Sequence, residues 1–300
     1  MAIKELKLNL KRKLKKPEFQ VRRKILSKIL EGELAASSKG RGIEFTGFRN
    51  YVYGDDASTI DWPASLRAKE TLIREYEEYR HFQIFVLMDV SNSMLFSSTN
   101  KLKCEYAADL VFSLVYSIVN SGNKIGLGLF TDGLVTRQVP QNGTNNYYRM
   151  LEDLTNPNNY GGNFNLKKTL MQTRSLLGEK SLIIIVSDFI GLEKGWEHYI
   201  RMLTPNFDIL GIMIRDPRDR ELPEDAGQFL VEDPYTKERI QIDTKDYAEL
   251  YKKQVLKEEE IKHKFQASRA GFVSVSTTED FLKPLLKYIK MRAKMLAKIS

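Results

Sequence analysis

Residues 84–94 read IFVLMDVSNSM, and this stretch decides the fold. Ile84 to Met88 is an almost continuous apolar run, the pattern of a strand covered on both faces. Asp89-Val90-Ser91-Asn92-Ser93 follows it. The carboxylate and the two hydroxyls stand at alternate positions, so in an extended turn they converge on one side while Val90 points away. A second buried run, SLIIIVS over 181–187, ends in the same way with Asp188.

Working outward, Leu102, Tyr106, Leu110, Leu114 and Ile118 fall at helical spacing. KIGLGLFTDG (124–133) reads as a strand ending in a turn, with LVTRQVP (134–140) as its hairpin partner. A helix is expected near 193–203, a strand from Phe207, a polar hairpin over 227–243 with its turn at DPYT, and a long helix over 245–269. GFVSVST (271–277) reads as the last strand and a helix runs from 279. NNYYRM and TNPNNYGG read as polar loops. Strands alternating with helices give an α/β, doubly wound, mostly parallel sheet of Rossmann-type topology over 81–300. Residues 1–80 form a smaller N-terminal helix/strand region: Leu6, Leu8 and Leu10 alternate like a strand, and residues 18–30 carry a helical stripe.

In an open parallel sheet, ligands bind at the carboxyl ends of strands where the strand order reverses. Asp89, Ser91, Ser93 and Asp188 would meet in such a crevice. Hard oxygens of this kind suit Mg2+ or Mn2+ and do not suit zinc. The alternative is that both acids cap the helices that follow them. No GxGxxG follows the first strand and no GxxxxGK[ST] occurs, which excludes the usual dinucleotide and triphosphate sites.

Asp-x-Ser-x-Ser after an apolar strand resembles the metal-ion-dependent adhesion site of von Willebrand factor A-like domains. By that resemblance Asp89, Ser91 and Ser93 match the first loop and Asp188 the distal aspartate. The middle loop usually carries Thr after two glycines. Here Gly161 and Gly162 are followed by Asn163, an amide in place of a hydroxyl, which implies a weaker Mg2+ or Mn2+ site.

The upstream stretch GIEFTGFRNYVYGDDASTIDW (42–62) resembles the signature of a bacterial and archaeal family catalogued as domain of unknown function 58. Gly42, Glu44, Phe45, Arg49, Tyr51, Gly54, Asp55, Asp56, Ile60, Asp61 and Trp62 carry the likeness, and GFVSVSTTEDFL extends it to about residue 295. Ser58 and Thr59 stand where that family often has Arg. The resemblance implies an adaptor or chaperone-like partner of a MoxR-type AAA+ ATPase, with no reaction established for the family as a whole.

Asp55, Asp56 and Asp61 are close enough to form a glycosidase-like acid/base pair. The surroundings favour a structural junction instead. Gly54 permits a tight turn, Arg49 and Arg67 can pair with the acids, and Trp62-Pro63 offers an apolar anchor to the sheet domain. The aromatics Tyr51, Tyr53, Trp62, Tyr76, Tyr79 and Phe82 are read as core.

Composition bounds the function. The net charge of +8 divides into +9 over residues 1–28, +6 over 245–300 and −7 between them. A basic leader can touch nucleic acid or an anionic membrane surface. No nucleic-acid motif accompanies it, so docking on its own body or a partner is expected. No run approaches 18 apolar residues, so no transmembrane segment is expected. The N-terminus lacks a signal's apolar core, and the single Cys104 excludes an internal disulfide. Both point to the cytoplasm. Cys104 itself is read as partly buried and inert.

An enzyme would need Ser91 or Ser93 as nucleophile or Asp89 in a dehalogenase-like role. Neither serine lies in GxSxG, and His81, His198 and His263 are not placed beside them by sequence. Three functions are therefore carried forward. The first is a non-enzymatic protein-binding module that offers a divalent ion to a partner carboxylate. The second is a metal-free scaffold of the same fold, and the third a metal-dependent hydrolase or phosphatase.

Overall fold

The computed structural model describes residues 43–78, 83–178, 181–220, 227–243 and 247–296. The strand and helix expected before residue 31, with Tyr79, His81 and Phe82, lie outside the described residues.

The first described unit is a ribbon of β1 (Ile43–Asn50) and β2 (Leu72–Glu78), paired antiparallel, with helix α1 (Trp62–Ala68) in the connection. The stretch 72–78 is thus a strand of its own, outside the main sheet. The second unit opens with β3 (Gln83–Asp89), α2 (Lys103–Asn120) and β4 (Lys124–Thr131). The edge pieces β5 (Gly133–Leu134) and β6 (Gln138–Gln141) both pair antiparallel with β4. The hairpin partner expected over 134–140 is therefore two short pieces rather than one strand.

Helices α3 (Thr144–Thr155) and α4 (Leu166–Arg174) come next, then β7 (Leu182–Ser187), α5 (Trp196–Leu203) and β8 (Asp208–Arg215). NNYYRM lies inside α3, not in a loop: Tyr147, Met150, Leu151 and Leu154 are buried against the sheet. A hairpin of β9 (Gln228–Glu232) and β10 (Arg239–Asp243) follows, then α6 (Tyr247–Ala267), β11 (Gly271–Ser276) and α7 (Leu282–Leu296).

The main sheet has seven strands in the order β11-β8-β7-β3-β4-β5, with β6 also on β4. All pairs from β11 to β4 are parallel. The expected doubly wound α/β architecture is present. The continuous apolar runs follow from burial on both faces. Ile84, Val86 and Met88 turn to one layer with α2, α3 and α7, while Phe85 and Leu87 turn to the other with α4, α5 and α6. Each such side chain taken from water contributes about 1.5–3 kcal/mol, so the central strands are the most firmly held part of the molecule.

This order fixes a site. From β3 the chain passes to β4 on one side, and later returns to β7 on the other side of β3. The reversal point lies between the carboxyl ends of β3 and β7, where open α/β sheets leave a crevice. Asp89 ends the first strand and Asp188 follows the second.

Candidate functional site

The parallel register Met88↔Val186 carries β3 and β7 to this end side by side. Asp89 Oδ1 accepts from the Ser91 amide at 2.8 Å, and Oδ2 accepts from Ser187 Oγ at 2.6 Å. Ser93 Oγ donates to Asp188 Oδ1 at 3.0 Å, and Ser91 Oγ lies 3.4 Å from Ser93 Oγ. Asp89, Ser91, Ser93 and Asp188 therefore belong to one hydrogen-bonded cluster, and all four are buried.

Local chain geometry aims them. Ser187 Oγ accepts from the Phe189 amide, and Asp188 Oδ1 also accepts from the Ile190 amide. Phe189 itself holds φ at +53°, a left-handed conformation costing an L residue about 1–2 kcal/mol. Its buried ring, packed on Phe265 and Phe272, holds it there. Neither aspartate caps a following helix, because Ser91, Leu102 and Gly195 hold the N-cap positions. The local bonds of the two aspartates are to the turn amides of Ser91 and Ile190. Each also bonds across to the other strand's loop.

Asn163 stands apart. The Gly-Gly turn comes close, because Asn92 N donates to the Gly162 carbonyl and Gly162 N donates to Asn92 Oδ1, each at 3.0 Å. Asn163 follows it exposed to solvent, and no hydrogen bond joins it to the four cluster residues.

Ser187, Asp219, Lys103 and Tyr235 join the cluster without having been singled out in the sequence. Lys103, on the first turn of α2, is 1% exposed and sets its Nζ 2.7 Å from Asp188 Oδ2 and 3.1 Å from Asp219 Oδ2. Burial pulls its pKa down, but the two carboxylates outweigh that and raise it, so the residue stays charged. Tyr235 arrives from the turn of the β9–β10 hairpin. Its hydroxyl lies 2.9 Å from Ser93 Oγ, 3.1 Å from Ser91 Oγ and 3.1 Å from the Ile190 carbonyl. A helix lysine and a turn tyrosine read as surface residues in sequence, and only the tertiary fold brings them here.

The electrostatics follow from this inventory. Burial first, and then the Asp188 carboxylate, push the Asp89 carboxyl up to about 7, against hydrogen bonds from Ser187 and Ser91 that favour its charged form. Asp188 and Asp219 face the Lys103 ammonium, and the buried Arg215 guanidinium donates to the Asp188 carbonyl at 2.7 Å, so cations already line one side of the cluster. Among the described residues no group of three His, Cys, Asp or Glu side chains is arranged to hold a metal ion. A cation here would depend on the two hydroxyls as much as on the acids. Two carboxylates and two hydroxyls are a hard-oxygen set whose chemistry fits Mg2+ or Mn2+. Cys104, beside Lys103, is fully buried, and burial pushes its thiol up to about 12, so it is inert.

The upstream signature forms its own local structure. Gly54 has φ +109°, Arg49 pairs with Asp55 at 2.7 Å, and Asp55 also accepts from the Val52 amide. That guanidinium holds the Asp55 carboxyl down at about 2. Asp56 accepts from the Ser58 amide, and Asp61 caps α1 through the Ala64 amide while pairing with Arg74 at 2.6 Å. Arg67 instead bonds the Pro63 carbonyl. Tyr51 is half-buried with its amide on the Thr71 carbonyl, and Glu44 lies in β1 opposite Glu77. Asp55, Asp56 and Asp61 each serve a turn, a cap or an ion pair. The anchor reading is corrected: Trp62 is 63% exposed and Tyr53 fully exposed, because the first residue of the short α1 points out from the ribbon.

Residues 47–261 match the family described as protein of unknown function DUF58. The chain belongs to that family. The DUF58 chain is 23% identical over 279 residues to the uncharacterized protein Rv1480 of Mycobacterium tuberculosis, covering 92% of this chain and 87% of that one. It is also 30% identical over 107 residues to YeaD of Bacillus subtilis, covering 35% of this chain and 24% of that protein. Among solved structures it is similar to the conserved hypothetical protein BatB of Bacteroides thetaiotaomicron, with TM-score 0.47 and 16% identity over 71% of this chain and 99% of that one. A von Willebrand factor type A protein of Catenulispora acidiphila gives TM-score 0.43 and 11% identity, over 75% and 44% of the two chains. The DUF58 chain has a mostly parallel α/β sheet with a smaller N-terminal region.

Proposed function

We propose that this DUF58 chain is a non-enzymatic protein-binding adaptor acting in the cytoplasm, and that its partner surface is the crevice between β3 and β7. The observation that carries the reading is the Ser93–Asp188 hydrogen bond, which joins the loops of two separate strands into one oxygen cluster. Asp89, Ser91 and Ser93 would hold a Mg2+ or Mn2+ ion, with Asp188 ordering the remaining shell. The ion supplies an open coordination position for an Asp or Glu of the partner. By the family resemblance the partner is a MoxR-type AAA+ ATPase.

A direct test is a pull-down with wild type and Asp89→Ala, each with and without chelator. Recovery of an ATPase by wild type alone, lost on chelation and lost in the variant, is the expected result. Recovery that ignores both chelator and variant rejects the metal-dependent mode.

Lys103 favours a second reading. Its ammonium already neutralises Asp188, so the same fold can stand as a metal-free scaffold. Titration with Mn2+ separates the two. Saturable binding that Asp89→Ala abolishes supports the ion, and no binding at about millimolar ion supports the scaffold.

A further inference from the structure

Among the described residues the β9–β10 hairpin pairs only with itself in the strand order. A lone two-stranded hairpin is marginal in water. Its apolar residues Leu230, Val231 and Ile240 are exposed instead of packed on the body. Among the described residues, the hydrogen bonds and ion pairs between this hairpin and the rest of the chain all run through the Tyr235 hydroxyl.

The seat for Tyr235 is shaped to it. A Cβ on Gly191, in the loop after β7, would stand 2.9 Å from Tyr235 Cε2, so the ring needs a bare backbone at that position. The hydroxyl then engages Ser91 and Ser93 together, 144 and 142 residues away in sequence. These are the same two hydroxyls the adaptor reading assigns to the ion.

We propose that the β9–β10 hairpin is a latch that keeps the crevice closed, with Tyr235 seated on Ser91 and Ser93 until a cation and a partner carboxylate displace it. The inference rests on the adaptor reading and adds its regulation. A site occupied by its own tyrosine binds with an affinity reduced by the fraction of molecules that are open, and removing the latch restores the intrinsic value.

The test uses the full chain and Mn2+ alone. Mn2+ affinity is measured by calorimetry for wild type and Tyr235→Phe, which keeps the ring and its packing but removes the hydroxyl. Amide exchange over residues 228–243 is followed in wild type with and without Mn2+. Tighter binding by Tyr235→Phe, about tenfold, together with faster exchange of the hairpin on adding Mn2+, is the expected outcome. A wild type that binds Mn2+ with the same affinity as the variant, or whose hairpin exchange does not change, overturns the latch and leaves the ion site standing. If neither protein binds Mn2+, the ion site fails and the latch falls with it.

Discussion

Lys103 governs the charge balance of the crevice. Its long side chain crosses from α2 to reach acids on two different loops, and it is almost completely out of water. A buried ion pair adds little net stability over a well-packed apolar substitute. Removing one partner alone is different, because it strands the other charge. Lys103→Met keeps most of the volume and leaves Asp188 and Asp219 without their ammonium. Urea unfolding of this variant is expected to show a loss of about 3–5 kcal/mol. Restoring charge balance with Asp188→Asn in the Lys103→Met background should recover part of that loss, since a neutral amide needs no counter-ion. An additive double variant would mean that the two residues are not coupled.

At the level of elements, the edge of the sheet is closely packed at one glycine. β6 lies across Gly126 of β4, and a Cβ there would meet the Gln138 carbonyl at 2.5 Å and the Pro140 nitrogen at 2.9 Å. Both are backbone atoms, so the neighbouring strand itself must shift. Gly126→Ala is expected to cost about 1–3 kcal/mol by denaturant unfolding, as overpacking typically does. A neutral result would mean that β6 is loosely attached. The same contrast explains what the sequence discloses. Strands β3, β7 and β8 were legible because burial on both faces leaves an unbroken apolar run. Helix α3 was obscured by its asparagines, although Tyr147, Met150, Leu151 and Leu154 hold the helical spacing that could have revealed it. Asp89, Ser91, Ser93 and Asp188 were legible because each sits at a strand's carboxyl end. Lys103 and Tyr235 were not, since their role depends on contacts with residues 45 to 144 positions away.

For the molecule as a whole, the two tryptophans report on its two regions separately. Trp196 is 5% exposed, packed 5.1 Å from the Phe265 ring in the layer beneath β7 and β8. Trp62 opens α1 in the N-terminal ribbon, with 63% of its surface in water. If the Asp-Asp…Ile-Asp-Trp signature were a buried anchor, removing Trp62 would open a cavity costing several kcal/mol. With the side chain exposed, Trp62→Phe should change stability by no more than about 0.5 kcal/mol. Acrylamide should quench part of the native emission readily. The Trp62→Phe protein should emit at shorter wavelength and resist quenching, since only the buried indole remains. A large loss of stability, or an accessible Trp196, would return Trp62 to the interior. The acids around it would then be holding two regions together and not, as their caps and arginine pairs argue, shaping one small ribbon.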